Sequence, residues 1–139
     1  MEKTFIMIKP DGINRNLIGE IISKFEKKGY KICALKIQRL TLKQINKHYA
    51  EHINKKYFKS LKEYLMSGPV VQIVLSGYDV VNGIRKIIGS TDPKEACCGS
   101  IRGDYGFDIT KNLIHASDSK ENAYNEIKLY FKNSEIINL

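Results

Sequence analysis

No apolar run in this sequence approaches the length needed to cross a bilayer, which excludes a membrane-spanning helix as its organising element. Behind the charged start only Phe5 to Ile8 is continuously apolar before Lys9, Pro10 and Asp11 interrupt it; a secretory signal is not expected, and a cytoplasmic protein is. Cysteine is scarce. Cys33 falls in a strand-like segment, and the adjacent Cys97 and Cys98 have neither redox nor zinc spacing, so three free thiols in a reducing compartment are expected. There is no repeat, no low-complexity tract, and no stretch rich in Pro, Gly or Ser to divide the chain. A chain of 139 residues without such a linker reads as one domain, residues 1–139, large enough to bury a core without staples.

Acidic residues are also in the minority. Lys and Arg number 23 against 15 Asp and Glu, and the formal charge of +8 calls for an anionic partner: nucleic acid, phosphorylated small molecules or acidic membrane. Charge alone does not choose among these. Lys24, Lys27, Lys28, Lys43 and Lys47 fall on the presumed solvent faces of helices, where solubility accounts for them. A phosphate site is to be sought where basic residues meet Gly, Thr or Asn at turns.

The elements alternate along the chain. Thr4 to Ile8 is an apolar, β-branched run suited to a strand buried on both faces, and Lys9-Pro10-Asp11-Gly12 stops it, leaving an ammonium group at the strand end as either a binding residue or a solvated edge. Leu17, Ile18, Ile21, Ile22 and Phe25 recur at helical spacing up to Gly29. Lys31 to Leu40 partly alternates, with Cys33, Leu35 and Ile37 on one side. Thr41 with Gln44 has capping-box spacing for a helix to about Ala50, and a further helix covers Phe58 to Met66. Val70 to Leu75 is a third strand between Ser67-Gly68-Pro69 and Gly77. Val80, Val81, Ile84, Ile87 and Ile88 make another helical face that leaves Arg85 and Lys86 off the core side. From Gly89 to Gly106 the chain reads as a long irregular loop.

The segment Asn112 to Ser119 then places one histidine before a helix. Leu113 and Ile114 run into His115 like the end of a buried strand, and Ala116 and Ser117 leave the imidazole uncrowded. Asp118 with Glu121 has capping-box spacing, and Ala123, Ile127, Tyr130 and Phe131 continue one apolar helical face, with a short polar tail after it. Glu126 can turn back toward the ring. A histidine at such a junction, with a carboxylate to orient its second nitrogen, suits a covalent nucleophile or general base; a structural histidine is the alternative on this fragment alone. The whole order of elements fits an α+β fold best: ferredoxin-like βαββαβ, a four-stranded antiparallel sheet covered by helices.

Read with Ile8-Lys9-Pro10-Asp11-Gly12, Ser67-Gly68-Pro69-Val70 and Ile101-Arg102-Gly103-Asp104, the histidine segment resembles that of the nucleoside diphosphate kinases, in the family's order and spacing from Lys3 to about Phe131. The resemblance implies a phosphotransferase working in two steps. The γ-phosphoryl of a nucleoside triphosphate such as ATP passes to His115, and the phosphohistidine then rephosphorylates another nucleoside diphosphate, in a ping-pong exchange. By the same resemblance Lys9 contacts the phosphates and ribose, and Arg85, Thr91 and Arg102 hold the β-phosphate. His52 touches the α-phosphate and Asn112 binds the ribose hydroxyls. Tyr49 sits beside the histidine, and Ser117 and Glu126 set its tautomer. The base stacks on Tyr57, with Leu61 and Ile109 opposite, a platform that accepts any base. Mg²⁺ is expected to arrive on the nucleotide phosphates, with no metal site on the protein.

The chain departs from the family at a few positions. The stacking aromatic, usually phenylalanine, is Tyr57, and Ala116 follows the histidine where many members have glycine. Cys97-Cys98 precedes Gly99 where many have a proline in a loop that packs between subunits, and the chain stops soon after Phe131, without the longer tail of some members. A homo-oligomer built on a dimer is expected, hexamer favoured over tetramer. A basic ferredoxin-like domain can also bind RNA, but the central strands are aliphatic with Phe5 their sole aromatic, so nucleic-acid binding is not expected as the main function. An inactive family member and a hydrolase that loses its phosphohistidine to water are further alternatives.

Overall fold

The two β-branched runs form the inner strands of the sheet in the computed structural model, which describes residues 1–139. β1 (Lys3–Ile8) and β3 (Val70–Ser76) pair antiparallel, with Phe5 opposite Val74 and Ile8 opposite Val71. β2 (Lys31–Gln38) lies outside β3 and β4 (Ile114–Ala116) outside β1, again antiparallel, giving the order β2-β3-β1-β4. Seven helices complete the ferredoxin-like α+β fold: α1 (Pro10–Asn14), α2 (Ile18–Lys28), α3 (Leu42–His48), α4 (Phe58–Met66), α5 (Val80–Ile88), α6 (Ile101–Tyr105) and α7 (Lys120–Tyr130). None is long and apolar enough to cross a membrane.

The largely apolar composition of β1 and β3, interrupted in β3 by the buried Gln72, follows from burial on both faces. Ile6, Ile8, Val71, Ile73 and Leu75 pack against Ile21 and Phe25 of α2 and Val80, Ile84 and Ile88 of α5. On the other face Phe5, Met7, Val70 and Val74 meet Ile45 of α3, Phe58 and Leu65 of α4, and Tyr130 at the end of α7. Burying each large apolar side chain is worth about 1.5 to 3 kcal/mol, so these strands are the stable base from which the loops project. Local signals place the helix ends. Gly29 ends α2 in the left-handed conformation at φ 102°, and Thr41 and Gln44 form both halves of a capping box, at 3.1 and 3.0 Å.

Four expectations need correction. Leu35 and Ile37 are not inward-facing partners of Cys33: they are 52% and 60% exposed, because an irregularity between Ile32 and Ala34 breaks the alternation and buries Cys33 and Ala34 together. Pro10 to Asn14 continues as helix α1, with proline at its first position, where its missing N–H is no loss. Within the loop from Gly89 to Gly106, α6 forms, capped by the Ser100 hydroxyl accepting from Gly103 N at 3.1 Å; a Cβ at Gly103 would run into the Cys97 carbonyl. The cap of α7 is Ser119, not Asp118, since the chain stays extended through Ser119 at φ −154° and its hydroxyl accepts from Asn122 N. Cys33 is buried, Cys97 and Cys98 are exposed, and all three are unpaired. The tail returns to β2, with Ile137 N donating to Cys33 O and Lys36 paired with Glu135, both at 2.9 Å.

Candidate active site

The end of β1 and the start of β4 bring two distant parts of the sequence together. Lys9 N donates to Leu113 O at 2.8 Å, and Met7 pairs with His115. To enter β4 the chain takes a left-handed turn at Leu113, φ 76°, a strained conformation for a branched side chain. Asp11 of α1 braces that turn: one carboxylate oxygen accepts from Leu113 N at 3.2 Å, and the other accepts the hydroxyl of Tyr64 on α4. Leu113 is itself fully buried in the core cluster with Ile21 and Ile84, and that packing offsets the strain.

His115 and Glu126 face each other from β4 and α7, Nε2 to Oε1 at 2.5 Å, and the Ser117 hydroxyl donates to the same oxygen at 3.1 Å. With its proton on Nε2 and given to Glu126, the imidazole keeps its lone pair on Nδ1, which has no partner within the protein. Burial, and then the charges of Lys9 and Arg102, push His115 down to about 3, which keeps the ring neutral and nucleophilic at pH 7. Burial pushes Glu126 up. Tyr49 lies beside the ring, centroids 6.3 Å apart, with a buried hydroxyl that has no hydrogen-bond partner; burial and then Glu126 push that phenol up.

His115 opens into a cleft of about 790 Å³ whose inner wall is basic. Lys9 Nζ donates to Asn112 Oδ1 at 2.8 Å, and Asn112 Nδ2 to Thr91 O at 3.0 Å. Arg102 is 7% exposed and spends three N–H groups on the carbonyls of Gly89, Asn112 and Ile114, at 3.1, 3.3 and 2.5 Å. Arg85 of α5 reaches the Ala116 carbonyl at 3.4 Å. These cations lack carboxylate partners. Burial and then the charge of Arg102 lower Lys9 to about 8, and burial with Arg85 lowers Arg102 to about 10, as expected for a site prepared for an anion. At the mouth stand Tyr57, 46% exposed, with Leu61 and Ile109, and the Tyr57 hydroxyl meets Nδ1 of His52.

Every site residue expected from the sequence lines this cleft except Ser117, which is fully buried behind it and acts on Glu126. Lys47, read above as a solubility lysine, also lines it, as does Asp118, read as a cap; its carboxyl is held below the usual range by the Asn122 amide. His48 is missed altogether. It ends α3 with its side chain 4% exposed, stacked on Tyr49 at 4.3 Å, its Nδ1 2.6 Å from the Tyr130 hydroxyl and its Nε2 3.2 Å from His115 Nε2. The only local signal is a polar residue at the end of a capped helix. His48, His115 and Glu126 are also the one group of three side chains whose donor atoms converge as metal ligands would, and it is nitrogen-rich and engaged in hydrogen bonds. Mg²⁺, which prefers an oxygen shell, does not fit that group.

Known proteins are similar to this chain in both fold and sequence. Residues 2–136 match the family described as Nucleoside diphosphate kinase. A nucleoside diphosphate kinase of Saccharolobus islandicus is 53% identical over 136 residues, 98% of this chain and 99% of that protein, and one of Heliobacterium modesticaldum is 49% identical over 137 residues, 99% and 92% of the two chains. Among solved structures, a nucleoside diphosphate kinase family protein from Babesia bovis superimposes with a TM-score of 0.96 at 40% identity, covering 100% of this chain and 94% of that one. A halophilic nucleoside diphosphate kinase from Halobacterium salinarum, in complex with CDP, gives 0.96 at 41% identity, covering 99% and 92%. With near-complete coverage in both directions and a histidine cleft walled by cations, the chain belongs to the nucleoside diphosphate kinase family and is an enzyme of that class.

Proposed function

We propose that the chain, as a single domain over residues 1–139, transfers the γ-phosphoryl of a nucleoside triphosphate to a nucleoside diphosphate by a ping-pong exchange through a phosphohistidine at His115. The observation that carries this reading is the His115–Glu126 contact at 2.5 Å, which leaves Nδ1 as the free nitrogen beside Lys9, Arg85 and Arg102. In the first half-reaction the Nδ1 lone pair forms a bond to phosphorus, the bond from phosphorus to the bridging oxygen breaks, and its electron pair leaves on the nucleoside diphosphate. The second half-reaction is the same displacement in reverse with a new acceptor, so no net charge or proton is left on the enzyme. Catalysis here is positioning and charge stabilisation.

The remaining residues follow that division. Lys9 approaches the transferred group and Asn112 the ribose hydroxyls, while Arg85, Thr91 and Arg102 hold the β-phosphate, the guanidinium forks giving directional bonds. His52 faces the α-phosphate. The unpartnered Tyr49 hydroxyl supports its place beside His115, and Ser117 and Glu126 hold the ring. The base stacks on Tyr57, with Leu61 and Ile109 as apolar walls; CDP in the halophilic relative supports a nucleotide in this cleft. Mg²⁺ enters with the substrate on phosphate oxygens, since the cleft offers no carboxylate cluster to cage it. We place the enzyme in the cytoplasm as a homo-oligomer built on a dimer, hexamer favoured over tetramer. Helices cover both faces of the sheet, which argues against an open-sheet RNA site.

Intact-protein mass after incubation with ATP and Mg²⁺, followed by a different nucleoside diphosphate, tests the mechanism. One acid-labile phosphoryl is expected to appear and then to leave on the new nucleotide, and His115→Ala is expected to abolish both while still binding nucleotide. Exchange that persists in His115→Ala sinks the nucleophile assignment; loss of the adduct to water alone converts the reading to a hydrolase.

A further inference from the structure

We propose that Tyr64 is a positioning residue for phosphoryl transfer: through the Asp11 carboxylate its hydroxyl ties α4, the helix that carries the base wall, to the Leu113 turn that presents His115, and so fixes the span from stacked base to attacking nitrogen. The proposal rests on the kinase reading above and extends it to a residue that lines no part of the cleft.

Base and nucleophile are held by different parts of the fold. Tyr57 stands at the N-terminal end of α4 and Leu61 one turn further on, whereas His115 belongs to β4. Tyr64 follows Leu61 by one more turn of the same helix. Its hydroxyl donates to Asp11 Oδ1 and accepts from Asp11 N at 3.1 Å, so its proton and a lone pair are both committed to one residue of α1. Apart from the contact of Tyr57 with His52, these are the only side-chain hydrogen bonds that α4 and its cap make to another element. The second oxygen of Asp11 accepts from Leu113 N at 3.2 Å, which carries the tie across to the histidine segment. Burial, and then the bond to Asp11, push the Tyr64 phenol up, which keeps its proton in place as the donor.

The receiving end of the tie is stiff. Ile114 N donates to Asn112 O at 2.9 Å across Leu113 at φ 76°, a γ-turn of the rarer, strained form. Two holds fix it without Tyr64: Lys9 N donates to Leu113 O at 2.8 Å, and the Leu113 side chain is buried in the core. α4 instead packs through Phe58 and Leu65, in the core on the opposite face of the sheet from Leu113. Apolar packing is non-directional, so it holds the helix to the sheet but opposes a slide along it only weakly. A misplacement of about 1 Å between reacting groups costs roughly a hundredfold in rate. Hydrogen bonds are directional, and the bridge from Tyr64 through Asp11 to Leu113 supplies the register that packing does not.

Tyr64→Phe tests this by keeping the ring and removing the tie, with the rate of phosphohistidine formation read by rapid-quench intact mass for two donors, ATP with Mg²⁺ and phosphoramidate. Phosphoramidate gives its phosphoryl to Nδ1 with loss of ammonia and has no base to place. The expected result is a fall of about tenfold with ATP, the scale found for outer hydrogen-bond partners of site ligands, and an unchanged rate with phosphoramidate. An unchanged rate with ATP overturns the proposal. So does an equal loss with both donors, which would make Tyr64 a support of the turn alone. If Tyr64→Phe does not fold, Asp11→Asn replaces it: the amide oxygen still accepts from Leu113 N, the amide nitrogen does not accept from the phenol, and the same loss confined to ATP is expected, its absence decisive. Failure of the wild type to take phosphoryl from ATP while phosphoramidate still labels it counts instead against the kinase reading.

Discussion

Tyr57 carries the most specific consequence at the scale of single residues. Its hydroxyl, absent from a phenylalanine platform, is taken up by His52, which pins the ring at the cleft mouth. Tyr57→Ala is expected to weaken all nucleotides by roughly 1 to 3 kcal/mol, the worth of one base stack, in titrations with purine and pyrimidine diphosphates. Loss confined to one base would show that the ring reads an edge instead of offering a face. His115 shows the converse dependence of a residue on its surroundings. Its position in the chain marks it as a candidate, but Glu126, Lys9 and Arg102, from three distant parts of the chain, set its proton and its charge.

At the scale of elements, β2 is the part left partly open, its outer edge met by the C-terminal tail at Cys33 and Lys36. It is an edge strand of the sheet, and Leu35 and Ile37 stand out from it into solvent. Unpaired backbone with exposed aliphatics is the usual liability of a sheet edge, and contact with a second copy removes it. Leu35→Lys with Ile37→Lys is expected to shift sedimentation velocity from the proposed hexamer to smaller species. An unchanged profile would put the subunit contact elsewhere. The strand also shows why pattern reading failed here: alternation assumes one residue per pleat, and an irregularity at Ile32/Ala34 moves every later side chain to the other face.

For the molecule as a whole, burial of two imidazoles ties stability to pH. His48 is pushed down to about 3 by burial and then by His115, and His115 to about 3 by burial and then by Lys9. A histidine depressed in the folded state is protonated first in the unfolded chain, so on acidification the unfolded state gains protons that the folded state refuses. Stability is therefore expected to fall as pH drops from about 6.5 toward 3, with Glu126, raised by burial, opposing with one group against two. Lys9, depressed to about 8, acts with the same sign at alkaline pH, so stability rises between about pH 8 and 10.5. Thermal melts across both windows read the sign directly, and a midpoint that rises on acidification below pH 6.5 contradicts it.

The order of elements, the two strands buried on both faces, the Thr41 cap and the Gly29 stop were all legible in the chain, because each depends on periodicity or on contacts within a few residues. Most of the cleft was legible too, through the resemblance of its motifs, since chemistry confines which side chains can stand at a phosphate. What only tertiary structure decided involves partners far apart in sequence. Asp11 supports the strained Leu113 across 102 positions, Tyr130 meets His48 across 82, and Lys47 turns toward the cleft from a helix face that periodicity assigns to solvent. Periodicity records which face of an element is apolar, whereas the partner of a polar side chain depends on where the sheet order places the next element, and that is set by packing.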